Sequence, residues 1–436
     1  MTISHSSLPT RRPRRTSDAI TLPSREWRSP AVDAAKINHE LNQLWAELGR
    51  APVSSEPLTA GGVPGPEVST SVSTPDEPDV PPRAIITRAA TLNLVAVANS
   101  AEEADRIHRG IIGLPDFQPS RVIVLVARGQ DSNTDADDLF IRVALLEQPP
   151  EKHRPTIRFE CIAVEANRTM ADDLASVASP LLISELGDFL WWPGDGVSRS
   201  PVFRNLAEVM DRVIVDTASL TKVPRGMAAL HALSTSRTRC PLVSDFAWTR
   251  LTPWRQLVAQ FFDPPVIRSC LDTIEEVEIV YPSPDQQGVS GFSAALLLTA
   301  WLANALNWEA DSPFARTRTG YRVILNGGLP DGASRPISVR LRPLSNVVFG
   351  RAIGAITLTS RGAHPGTFTV ERTTPTDLMT TSSIPGEPHV GRMVHVIPAT
   401  DSDLLAEEMH FFEPNPIYER ALALATRLLP ENDTVA

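Results

Sequence analysis

Between residues 92 and 216, six short apolar runs alternate with segments of helical periodicity, and this alternation constrains the fold more than any other feature of the chain. The runs are 92–98, 121–127, 140–146, 157–164, 189–192 and 213–216. Between several of them lie helices with readable starts. Ser100-Ala101-Glu102-Glu103 is a capping box, in which serine and glutamate side chains accept from amides that a first helical turn leaves unpaired. Ser200-Pro201 sets an N-cap before a proline at the first helical position, and Met170, Leu174, Val177, Ala178 and Leu181 recur at helical spacing. Short apolar strands alternating with amphipathic helices predict a layered α/β domain with a largely parallel sheet, assigned to residues 83–238.

Residues 239–436 have another texture. Helical stretches 253–262 and 294–308 come first, the second apolar almost all round, as suits a helix buried among other elements. β-like runs follow at 321–325, 337–341, 353–359, 367–371 and 393–397, separated by Gly and Pro clusters; helices 401–411 and 416–428 close the chain. An α+β domain is expected here. At the front, residues 1–28 are polar, carry Arg11, Arg12, Arg14, Arg15, Arg25 and Arg28, and show no periodicity, which predicts a mobile arm. An amphipathic helix is expected over 29–50, capped by Ser29 with Pro30 after it, presenting Ile37, Leu41, Leu44, Trp45 and Leu48, and ended by Gly49. Its apolar face is expected to dock on the same chain. Residues 51–82 hold eight prolines and neither aromatic nor basic residues, the composition of an extended linker. A flexible coil of that length spans about 30 Å.

Cys161, Cys240 and Cys270 lie far apart in sequence and form no Cys-x-x-Cys pair, so a reducing, cytoplasmic setting fits. The longest strongly apolar stretch, 294–303, is half of the roughly 20 residues that a bilayer span needs, and no membrane anchor or secretion signal is expected. A net charge of −10 disfavours nucleic acid as a partner over the whole surface, leaving only the arginine-rich arm for such contact.

Catalytic signatures are missing: there is no Walker phosphate loop, no Gly-x-Gly-x-x-Gly after the first strand, no His-Glu-x-x-His and no Gly-x-Ser-x-Gly. No catalytic residue, metal ligand or cofactor is therefore assigned. Asp131, Asn133, Asp135 and Asp137 imitate calcium-loop spacing, but Ala136 replaces the glycine of the sharp turn and Arg142 the bidentate glutamate. A solvated acidic loop is expected instead. His231, beside Met227, Leu230 and Leu233, reads as a core or boundary histidine.

The run Trp191-Trp192-Pro193-Gly194-Asp195-Gly196 lies after a strand and before a helix, where open α/β sheets bind ligands. Gly194 and Gly196 would let a phosphate approach the backbone, and Ser200 begins a helix whose positive end would face it. These three form a candidate anion loop, the basis of an alternative reading as a sugar-phosphate or nucleotide binding enzyme. Tryptophans come in close pairs, Trp191 with Trp192, Trp248 with Trp254, and Trp301 with Trp308. Trp301 and Trp308, seven apart on one helix, read as core, whereas Trp191 and Trp192 should face opposite sides of their strand.

Several of these segments carry a resemblance. Phe189-Leu190-Trp191-Trp192-Pro193-Gly194-Asp195, followed by Asp211-Arg212-Val213-Ile214-Val215-Asp216, resembles the glucose-6-phosphate dehydrogenase assembly protein family, OpcA. Pro119-Ser120-Arg121-Val122-Ile123-Val124-Leu125, Trp248-Thr249-Arg250-Leu251-Thr252-Pro253-Trp254-Arg255, Leu296-Leu297-Leu298-Thr299-Ala300-Trp301-Leu302 and Asp403-Leu404-Leu405-Ala406-Glu407-Glu408 continue it in order over roughly 92–428. The resemblance implies a non-enzymatic partner that binds glucose-6-phosphate dehydrogenase, promotes its active oligomer and raises its activity at the entry to the oxidative pentose phosphate pathway, whose product is NADPH. In photosynthetic members this activity is linked to thioredoxin, but the scattered cysteines here do not carry a disulfide switch across. Such an effector needs a surface that prefers one state of its target. Exposed members of Trp191, Trp192, Asp195, Trp254 and Arg255 are the candidates for that partner-binding surface.

Overall fold

A computed structural model of the chain describes residues 21–50, 90–114, 120–127, 139–147, 158–166, 174–236, 240–284, 290–328, 334–345, 353–410 and 413–430. The linker expected over 51–82, the acidic loop at Asp131–Asp138 and the first 20 residues of the arm lie outside them.

The first of two sheets is built from β1 (Thr21–Ser29), β2 (Leu92–Ala98), β3 (Ser120–Ala127), β4 (Leu139–Glu147), β5 (Arg158–Ala166), β6 (Gly187–Trp192), β7 (Arg212–Val215) and β8 (Leu242–Asp245). Its order is β1-β4-β5-β3-β2-β6-β7-β8. The neighbours from β5 through β8 run parallel, whereas β4 pairs antiparallel with both β5 and β1. Numbered among themselves, the parallel strands follow the 3-2-1-4-5-6 order of a doubly wound sheet, whose direction of winding reverses between β2 and β6. Every residue of β2 is buried, the mark of a central strand covered on both faces.

Three front-end expectations change. Thr21–Arg28, placed in the mobile arm, belong to β1, whose backbone satisfies the outer edge of β4 with Trp27 opposite Ile141. The helix α1 (Ala34–Arg50) starts later than Ser29, because Asp33 Oδ1 accepts from the Lys36 amide at 3.1 Å and acts as the cap. It also runs through Gly49 to Arg50. Docking in cis holds: Ile37, Leu41 and Leu44 are fully buried on the first sheet. Each contributes about 1.5–3 kcal/mol of apolar burial. Trp45 Nε1 donates to Glu160 at 3.0 Å, and Glu160 in turn holds Arg121 at 2.7 Å.

The helices of this layer are α2 (Ala101–Ile112), α3 (Leu174–Ala178), α4 (Pro201–Ala207) and α5 (Val223–Ser234), with α6 (Phe246–Arg250), α7 (Thr252–Gln260) and α8 (Pro265–Arg268) leading onward. A second, nine-stranded sheet follows. It holds β9 (Ile274–Pro282), β10 (Trp308–Ala310), β11 (Ala315–Thr317), β12 (Gly320–Gly328), β13 (Ser334–Leu344), β14 (Ala355–Ser360), β15 (Gly366–Thr374), β16 (Asp377–Ser383) and β17 (Val390–His395). All pairings are antiparallel except that of β9 with β13. β14 reads buried on every second residue, so one face packs inward and the other meets solvent. The apolar α9 (Phe292–Ala305) lies against the inner face. It ends before Trp308, which helical spacing places with Trp301 but which opens β10; the left-handed Asn307 between them breaks the helix.

α10 (Asp401–His410) returns to the first sheet, where Leu404, Leu405 and Met409 share a core with Ile107 and Ile111 of α2. α11 (Pro416–Arg427) buries Tyr418, Leu422 and Ala425 in the larger core that runs through both sheets.

Candidate functional site

In a doubly wound sheet, ligands enter at the carboxyl ends of the strands beside the reversal. Here that crevice lies between the turn after β2 and the turn after β6. The first turn is Asn99-Ser100, with Ser100 Oγ accepting from the Glu103 amide at 3.1 Å. Glu103 folds back so that its Oε2 accepts from the Asn99 amide at 2.7 Å and from Asn99 Nδ2 at 3.2 Å. The capping box was readable in the sequence; the place of its carboxylate was not. It sits directly on Gly194, where an added Cβ would fall 1.9 Å from Glu103 Oε1. Burial pushes the Glu103 carboxyl up from its ordinary value, opposed by the Asn99 hydrogen bonds and by Arg106. A negative group thus occupies the head of α2, the position at which this fold otherwise cradles phosphate.

Behind it lies a four-membered charge cluster. Arg106, on α2, donates to Asp216 at 2.8 Å, to Asp401 at 2.5 Å, to the Pro193 carbonyl at 2.5 Å and to Ser219 Oγ at 3.2 Å. Arg250 grips the same Asp216 with two nitrogens, at 2.8 and 3.1 Å, and reaches Asp401 at 3.3 Å. The Asp216 side chain is wholly buried and the two arginines are only 13 and 14% exposed. Burial opposes the charge of both arginines, but the two aspartates outweigh it and hold them firmly protonated. Asp401 is the first residue of α10, so the cluster ties the strand ends of the first sheet to a helix almost 300 residues further on.

Beside the cluster, Asp245 accepts from the Thr217 amide at 3.0 Å, Thr217 Oγ1 at 2.7 Å and the Ala247 amide at 2.9 Å. Burial, reinforced by the charge of Asp216 and opposed by those hydrogen bonds, raises its carboxyl to about 7.

Trp191, Trp192 and Trp254, candidates for a partner surface, are core residues, at most 1% exposed. Trp191 and Trp192 do face opposite sides of β6, but both sides are covered: Trp191 packs on Phe246 and Trp192 edge-on to Phe203. Trp192 Nε1 donates to the Asp195 carbonyl at 2.8 Å. Asp195 is half-buried and accepts from Thr221 Oγ1. Arg255, also half-buried, stacks 3.6 Å over Trp248 and donates to the Trp248 carbonyl and to Thr252, and burial lowers its guanidinium to about 10. The anion-loop residues are likewise engaged within the chain. Gly196 adopts φ +98°, its carbonyl accepts from the Ser200 amide at 2.8 Å, and Ser200 Oγ caps α4 through the Phe203 amide at 3.2 Å. His231 lies half-buried on α5, apart from this constellation.

The cysteines are three free thiols, and burial pushes that of Cys161 up to about 12, far from the thiolate that exchange chemistry needs. No group of metal-ligating side chains occurs among the described residues, and no helix among them is long and apolar enough to cross a membrane.

Residues 115–232 match the family described as the N-terminal domain of the glucose-6-phosphate dehydrogenase subunit, and residues 241–422 match its counterpart, described as the C-terminal domain. Among curated relatives, the OxPP cycle protein OpcA of Synechocystis sp. is 26% identical over 193 residues, 44% of this chain and 38% of that one. OpcA of Nostoc punctiforme is 29% identical over 150 residues, 34% of this chain and 30% of that one. The matched stretches thus span about a third of those relatives' length. Among solved structures, myo-inositol dehydrogenase from Lactobacillus casei superposes with a TM-score of 0.41 at 8% identity, over 79% of this chain and 94% of that one.

Proposed function

The chain belongs to the glucose-6-phosphate dehydrogenase assembly protein family, and from that premise we propose that it acts without catalysis of its own, as an allosteric activator and assembly factor of glucose-6-phosphate dehydrogenase. The observation that carries this reading is the Glu103 carboxylate, fastened to Asn99 and seated on Gly194 at the head of α2. A dinucleotide or sugar phosphate at that turn would meet a negative charge where it needs backbone amides and a positive helix end. The alternative, an enzyme working through Gly194, Gly196 and Ser200, finds no support there. The loop is spent on the turn and cap that it makes within the chain.

An effector changes an equilibrium only by binding one state of its target more tightly than the other. A shift from mostly inactive to mostly active oligomer requires a preference of about 5 kcal/mol. Neither a reactive group nor a cofactor is needed for that. The test is a titration of purified glucose-6-phosphate dehydrogenase with this chain, reading enzyme velocity and particle mass together. A rise in velocity accompanied by a larger, mixed particle is expected; no binding, or activity carried by the chain alone, sinks the reading.

A further inference from the structure

A cleft of about 920 Å³ opens between the two sheets. Lys222 from the first domain, Arg316 and Arg318 from the β11–β12 hairpin, and Arg342 from the end of β13 line it. The described lining contains no aspartate or glutamate, in a chain whose net charge is −10. Arg342 shares Glu278 at 3.3 Å outside the lining, whereas Arg316 and Arg318 are exposed and make no ion pair among the described residues.

Two helices also begin in this cleft, α5 after Lys222, with no side-chain cap, and α9 after Gly291, where Ser290 Oγ accepts from the Phe292 amide at 3.1 Å. Their positive ends add to the field of the four cations. The walls are shaped by glycines that tolerate no substitute. A Cβ on Gly291 would meet Pro282 at 2.6 Å, and one on Gly320, at φ +142°, would meet the Leu341 carbonyl at 2.0 Å. In the same lining, Tyr281, Phe292 and Tyr321 meet ring to ring in series, with centroids 5.6 and 5.0 Å apart and planes tilted by 43 and 32°. The volume falls in the range of small-molecule sites, roughly 300–1,000 Å³.

We infer that this cleft binds a phosphorylated small metabolite, its phosphate held by Lys222, Arg316 and Arg318 and its body laid against Tyr281 and Tyr321. The site is separate from the acid-filled crevice at β2 and β6. Thr221, in its lining, donates to Asp195 on the Gly194 turn, so the cleft borders that turn. The proposal concerns the isolated chain and stands apart from its action on the dehydrogenase.

The experiment is calorimetric titration of the full chain with glucose 6-phosphate and with inorganic phosphate, glucose serving as the uncharged control. One saturable site per chain is expected for glucose 6-phosphate, weaker binding for inorganic phosphate, and none for glucose. The exposed pair Arg316→Ala with Arg318→Ala should weaken binding about tenfold or more while leaving the thermal midpoint unchanged. Absence of saturable binding by either phosphate probe, or equal binding by the double variant, overturns the inference. Loss of dehydrogenase binding in the double variant without any phosphate binding also overturns it, and assigns the cleft to an acidic segment of the partner. Phosphate binding with no effect on the dehydrogenase would leave this inference standing and remove the function proposed above.

Discussion

The chain uses arginine and carboxylate in two places to opposite effect. At the carboxyl edge of the first sheet, Arg106, Arg250, Asp216 and Asp401 are largely buried and share hydrogen bonds. On the open face of the second sheet, Arg340 meets Glu276 at 3.2 Å and Arg342 meets Glu278 at 3.3 Å, with the arginines 49 and 44% exposed. The pair distances are similar. Burial is what differs, and it decides the energetics: a buried charge that loses its partner cannot regain water, whereas an exposed one can. The first set fixes how α10 closes over the strand ends, and the second leaves a sheet face whose charges are available at little cost.

The sharpest way to break this contrast is Asp216→Asn. It leaves Arg106 and Arg250 crowded on Asp401 alone, and a loss of about 3–5 kcal/mol is expected from urea unfolding. A loss below about 1 kcal/mol would put the cluster in the same class as the exposed pairs.

Asp245 sharpens the contrast through pH. Its folded carboxyl titrates near 7, above its ordinary value of 3.8, so between those values the folded chain holds a proton that the unfolded chain has released. The contribution is therefore complete below pH 4 and declines as pH rises to 7, by up to about 1.4 kcal/mol per pH unit. Asp245→Asn keeps an acceptor for the Thr217 and Ala247 amides and should flatten the stability profile across that window. An unchanged slope would show that Asp245 is ionised in the fold.

Gly194→Ala probes the acid-filled crevice itself. The new Cβ must expel the Glu103 carboxylate from Asn99, a loss comparable to a helix cap, about 1 kcal/mol. Thermal unfolding should register it, and Glu103→Gln in the same background should add little, since the carboxylate has already left.

Much of this architecture was legible because it depends on local pattern. Strand 92–98, the capping box at Ser100 and the N-cap at Ser200 follow from residues close in sequence. β1 was not legible, since its pairing with β4 bridges more than 100 residues and its own composition is polar. β9 and β16 escaped too: β9 carries Glu275, Glu276 and Glu278 among its apolar residues, and β16 is rich in Thr and Ser. The tryptophans show the limit most plainly. Opposite faces for Trp191 and Trp192 followed from strand geometry, but that both faces are covered depends on helices from distant parts of the chain. No local signal joined Arg106 and Arg250 to Asp216 and Asp401, because a charge cluster made from four separate segments has no spacing to read.

The smallest expected effect completes the contrast. Arg340→Ala removes a guanidinium that reaches Glu276 at 3.2 Å and Glu278 at 3.8 Å across the β9–β13 pairing. Both partners are about a third exposed, so water replaces the lost contact and the expected change in stability is under about 1 kcal/mol, shrinking further with added salt. Arg340 also lies opposite Arg322 on β12, so its removal relieves a like-charge neighbour and can bring the net effect close to zero. A loss approaching that of Asp216→Asn would mean that the open face is held as tightly as the cluster, and burial would no longer explain why one set of arginines locks the fold and the other stays at its surface.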